Sequence, residues 1–83
     1  MIYRADDYII YKVGYDLFYA KITEPQRSPY MVRVITLFSL TDIEHSTVEP
    51  TKSQNLSISY IKKIISRDLS KKEIIAKYPE YMI

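Results

Sequence analysis

The chain has 83 residues, 47% hydrophobic and 27% charged, the composition of one small folded domain with no room for two separate ones. It holds no cysteine and a single histidine, His45, so disulfides, thiolate zinc sites and multi-histidine metal sites are excluded. The net charge of +2 conceals a division: residues 1–51 carry five bases and seven acids, residues 52–83 seven bases and three acids, so the cationic surface is expected to be C-terminal.

No apolar run approaches the roughly 20 residues of a membrane span. The opening residues, with Asp6 and Asp7 and no long apolar stretch behind them, do not read as a leader peptide, and the expected location is cytoplasmic.

Residues 7–13 and 17–23 are dominated by Tyr, Ile, Val, Leu and Phe, which suit a pleated, half-buried surface. Between them stands Gly14, the only glycine. A two-residue type II′ turn with Gly14 first and Tyr15 second predicts a hairpin in which Val13 faces Asp16, Tyr11 faces Phe18 and Tyr8 faces Lys21. Alternation then places Ile9, Tyr11, Val13, Phe18, Ala20 and Ile22 on a core side. Tyr8, Ile10, Lys12, Leu17, Tyr19 and Lys21 fall on an amphipathic opposite side.

Pro25 and Pro29 bracket a polar loop at 24–29. In residues 30–38 both parities are apolar apart from Arg33 and Thr36, as expected of a central strand covered on both faces. Residues 39–50 allow two readings, a fourth strand in which Ile43, His45 and Thr47 alternate or a helical turn opened at Thr41; a short strand is the better fit.

After the turn-rich 50–55 segment, Ile58, Ile61, Ile64 and Ile65 recur at helical spacing, with Ser57 as an N-cap and Arg67 near the C-terminal end. Ser70 and Glu73 then fit a capping box, Leu69 and Ile74 fit a hydrophobic staple, and Tyr78-Pro79 closes a second short helix. The expected fold is α+β and a single domain over 1–83. An antiparallel three- or four-stranded meander over about 7–49, open or rolled toward a small barrel, is followed by two short helices over about 57–79.

The run from Ile58 to Pro79, with its leucine-serine entry at Leu69-Ser70, Glu73-Ile74 and the closing Tyr78-Pro79, resembles the helix-turn-helix core of a VapB-type, antitoxin-like family of small prokaryotic proteins. The resemblance covers about a quarter of the chain and implies DNA binding by the helix pair.

No catalytic constellation stands out. Asp6 and Asp7 would point to opposite faces of a strand, His45 with Glu44 and Ser46 lacks a nucleophile-elbow glycine, and one glycine cannot make a phosphate-cradling loop. No catalytic residue, metal, cofactor or small-molecule substrate is therefore expected. The leading functional expectation is a small non-enzymatic regulatory protein that binds DNA through the C-terminal helices. Lys62, Lys63, Arg67, Lys71, Lys72 and Lys77 would meet phosphate, and Ser70 would cap the second helix.

Nine tyrosines serve first as aromatic packing. The rival expectation uses Tyr8, Leu17 and Tyr19 with Lys12 and Lys21 as a face for a protein partner or a homodimer, as in an accessory or inhibitory protein of a mobile element. Helices packed across that face would remove it.

Overall fold

The computed structural model describes residues 3–41 and 53–81. Strands β1 (Tyr8–Val13) and β2 (Asp16–Ile22) form the expected hairpin with all six expected pairs, from Val13 opposite Asp16 to Tyr8 opposite Lys21. Gly14 adopts φ +63°, and nothing lies within 4 Å of where a Cβ would stand, so the backbone conformation rather than crowding requires glycine there. Asp6, at φ 70°, turns the chain into β1, so Asp6 and Asp7 precede the strand rather than alternating within it.

Strand β3 (Met31–Ser39) pairs antiparallel with β2, with a register shift between Tyr19 and Ala20. Strand β4 (Gln54–Ser57) pairs with β3, and β5 (Ile61–Ile65) pairs with β1. The strand order is β4-β3-β2-β1-β5. The two edge strands are consecutive in the chain and are joined only by a 3₁₀ turn, Ile58–Tyr60. A flat five-stranded sheet would hold its edges about 19 Å apart, at four spacings of roughly 4.8 Å. A three-residue 3₁₀ turn advances about 6 Å. The sheet must therefore roll, bringing β4 and β5 round toward each other.

Rolling divides the core into two layers. Ile9, Ala20, Ile22, Val32, Val34 and Leu56 fill the concave side, with Ile58, Ile61 and Ile64 packed against them. There the Tyr11 hydroxyl bonds the buried Thr36 Oγ1 at 2.6 Å. On the convex side Ile10, Leu17, Tyr19 and Leu40 pack under Ile65, Leu69 and Ile74. Ile74 belongs to the only α-helix among the described residues, α1 (Lys71–Lys77).

Two expectations are corrected. Among the described residues the sheet has five strands rather than three or four, and the C-terminal part holds one α-helix rather than two, so the fold is mostly β. Residues 58–65, expected as the first helix, are a 3₁₀ turn followed by β5, and Ser57 makes no capping bond; its hydroxyl meets the Ser59 hydroxyl at 2.9 Å. The 58–79 run is therefore no helix-turn-helix. Residues 42–50, with the strand read there and His45, lie outside the described residues. Among the described residues no helix is long and apolar enough to cross a membrane.

Candidate nucleic-acid interface

Among the described residues β5 borders only β1, so it is an edge strand of the sheet. Its isoleucines are committed inward: Ile61 and Ile64 pack on the concave side and Ile65 on the convex side. Between them Lys62 and Lys63 are both exposed, because the register shift opposite Ile10 and Tyr11 interrupts strict alternation. Consecutive lysines also keep an open edge from pairing with another strand.

The chain then turns through exposed Arg67 and enters α1 at Ser70. Ser70 Oγ accepts from Glu73 N at 3.2 Å, and Glu73 Oε1 accepts from Ser70 N at 3.2 Å, completing the capping box. Leu69 and Ile74 are both buried in the convex layer, so the staple residues share one cluster. Tyr78 caps the C-terminus with its N–H on Ile74 O, and Pro79 begins a closing 3₁₀ turn.

Only Ile74 of α1 is buried; Lys72 and Lys77 are exposed and Lys71 is half-buried. The Nζ atoms of Lys63, from β5, and Lys77, from α1, each lie 5.7 Å from the centre of the Tyr78 ring. Tyr78 is thus flanked by cations from two elements, an arrangement worth about 0.5–1 kcal/mol per contact at an exposed site.

Two of the three acids in this segment have local partners. Asp68 accepts the Tyr19 hydroxyl at 3.1 Å, and Glu73 serves the capping box. Lys62, Lys63, Arg67, Lys72 and Lys77 form no ion pair among the described residues, where Lys21 pairs with Asp6 at 3.4 Å.

The Glu73 carboxyl is held below its ordinary pKa, mainly by the Ser70 backbone N–H, then by the Ser70 hydroxyl, with smaller help from Arg67 and Lys77. A carboxylate whose folded pKa is depressed stabilises above its ordinary pKa and loses that contribution as pH falls through the lowered value. Ser70→Ala is accordingly expected to destabilise the protein by about 1 kcal/mol at neutral pH, read from the urea midpoint. The gap from wild type should narrow in acid by the hydroxyl's share alone, because the Ser70 backbone N–H persists in the variant; a gap constant down to acid would show that the Ser70 hydroxyl does not assist the Glu73 carboxylate.

The rival face has a different fate. Tyr19 is 0% and Leu17 3% exposed, covered by Leu69, Ile74 and the half-buried Tyr78 and Tyr81. The Tyr8 ring stacks on Tyr19 at 5.4 Å and 6°, Lys21 is paired with Asp6, and Lys12 is half-buried. The centre of this face is an internal layer closed by the chain's own C-terminal segment.

Sequence reasoning named the cations but missed Tyr78 as the meeting point of Lys63 and Lys77, and Asp68 as the partner of Tyr19. Tyr78 read as a helix terminator, and the 49-residue separation of Asp68 from Tyr19 leaves no local pattern. Comparison of the chain with protein-family models, curated proteins and solved structures finds no match.

Proposed function

We propose that this is a small non-enzymatic regulatory protein that binds the phosphate backbone of DNA through β5, the following turn and α1. What supports the reading is the convergence of Lys63 and Lys77 on Tyr78, within a segment where six cations face three carboxylates of which two have local partners. An anion approaching Tyr78 meets two ammonium groups held by separate elements. The interface is an edge strand and a helix of seven residues, about 10 Å long, which suits backbone contact better than base readout from a groove.

Fluorescence anisotropy with labelled mixed-sequence duplex and single-stranded DNA at several salt concentrations tests it. Binding should weaken with salt by about 0.9 in log-log slope for each duplex phosphate neutralised. Lys71→Glu/Lys72→Glu places acids in the first turn of α1, where the helix dipole favours them, so the fold should survive by circular dichroism. Binding should fall and the salt slope should drop by about 2. A folded double variant with unchanged affinity and slope would refute the proposal.

A further inference from the structure

We infer that the cleft between the 24–29 loop and the β3–β4 face binds a small molecule bearing a phosphate or carboxylate group, gripped by Arg33 and Arg27. The inference stands apart from the DNA interface and uses none of its residues.

The cleft has a volume of about 280 Å³, and its wall includes Glu24, Pro25, Arg27, Met31, Arg33 and Asn55. Its rim is built to hold shape. Pro25 and Pro29 restrict the loop, Gln26 N bonds Tyr3 O at 3.0 Å, Gln26 Nε2 bonds Ser28 O at 2.9 Å, and Tyr30 N bonds Ser28 Oγ at 3.2 Å. Tyr3 is itself buried in the concave core, so the loop is tied to the body of the domain.

Arg33 is the only cation in β3, a strand otherwise made of apolar and hydroxyl side chains. Its guanidinium donates to Ser53 O at 3.1 Å, to Ser53 Oγ at 3.0 Å and to Asn55 Oδ1 at 3.4 Å. All three acceptors are neutral: they fix the plane of the group without cancelling its charge, and they consume fewer donors than the guanidinium carries. Asn55, by accepting from Arg33 through Oδ1, keeps its own amide N–H groups as further donors. Arg27 is exposed, and Glu24, though in the same wall, forms no ion pair with either arginine among the described residues.

An oriented guanidinium that forms no ion pair among the described residues, in the same cleft wall as a second one, is the donor arrangement that recognises phosphate and carboxylate oxygens. Pro25, Met31 and Val32 supply an apolar wall for the body of the ligand. The volume suits a metabolite-sized molecule rather than a macromolecular groove.

The test is a ¹⁵N-resolved NMR titration of the full chain, with inorganic phosphate in one arm and acetate in the other, each against sodium chloride at matched ionic strength. Saturable shifts are expected at the amides of residues 27–33 and at the side-chain N–H groups of Arg33 and Asn55, with a Kd of about 1 mM or tighter. Saturation in either arm supports the site, and the arm that saturates names the anion.

Arg33→Lys keeps the charge but loses the planar fork, and should weaken binding about tenfold or more. Arg27→Ala removes an exposed side chain and should weaken binding while leaving the urea midpoint unchanged, which separates a ligand role from a structural pin. The Lys71→Glu/Lys72→Glu variant should bind the anion like wild type, so failure of the DNA reading leaves this one standing. Shifts no larger than those from chloride in both arms, or affinities unaltered in both arginine variants, would overturn the assignment.

Discussion

Tyr19→Ala is expected to lower stability by about 3–5 kcal/mol, a large share of the roughly 5–15 kcal/mol available to a domain. The side chain is fully buried, its ring stacks on Tyr8 and lies 4.9 Å from Phe38, and its hydroxyl is the polar link between sheet and C-terminal segment. That hydroxyl donates to Asp68 Oδ1 at 3.1 Å and accepts from Leu69 N at 3.0 Å. Tyr19→Phe keeps the rings and deletes the link, leaving the Leu69 N–H and the Asp68 carboxylate short of a partner. The expected loss is about 1–3 kcal/mol. Hydrogen exchange should then accelerate at Leu69 and through α1 while the β1–β2 amides stay protected; unchanged exchange in α1 would show that the hydroxyl does not hold the segment down.

The same residue is expected to set an alkaline limit. Burial pushes the Tyr19 hydroxyl well above the ordinary tyrosine pKa, Asp68 adds to the rise, and the Leu69 N–H opposes it. An acid whose folded pKa is raised contributes fully below its ordinary pKa and loses that contribution as pH climbs toward the folded value. Wild type should therefore lose stability above the ordinary tyrosine range, and Tyr19→Phe should lose less over the same window.

Ile9→Ala is expected to cost about 2–5 kcal/mol and to weaken every strand together, because Ile9 is fully buried near the start of β1, between β2 and β5, on the concave side. Ile74→Ala removes an equally buried side chain from the convex layer. Its loss should free α1 while the rolled sheet persists. Urea unfolding followed separately by far-ultraviolet circular dichroism and by exchange at α1 amides checks the contrast. Coincident transitions in both variants would show that the two layers fold as one unit.

The hairpin was legible to the register because a single glycine leaves one place for the turn, and a two-residue turn leaves one pairing. β3 was legible because both parities are apolar, and the second helix because a capping box is a local chemical pattern that needs no distant partner. β5 was misread for a definite reason. A register shift in its pairing with β1 sets Ile61 and Ile64 three residues apart while both face the concave core, and three-residue spacing imitates a helix. The counter-signal was present: four β-branched isoleucines in eight residues favour a strand. β4 was unreadable because Gln54–Ser57 is short and polar apart from Leu56, and becomes a strand only by pairing with β3.

Among the site residues, the cations were legible as residue types and as a charge division, but not the convergence of Lys63 and Lys77 on Tyr78, which depends on β5 being a strand. Arg33 stood out as the lone cation of β3. Its significance depends on Ser53 and Asn55, brought beside it by the β3–β4 pairing.

The pairing of β1 with β5 joins residues near 9 to residues near 64. At a synthesis rate of about 5–20 residues per second, β1 waits several seconds after its hairpin with β2 is complete before its second neighbour exists. During that interval β1, with Ile9, Ile10 and Tyr11 in sequence, is an uncovered edge open to strands of other nascent chains. The same pairing therefore makes synthesis the stage at which misassembly is expected, and slower elongation between residues 22 and 65 should lengthen the exposure and lower the soluble yield.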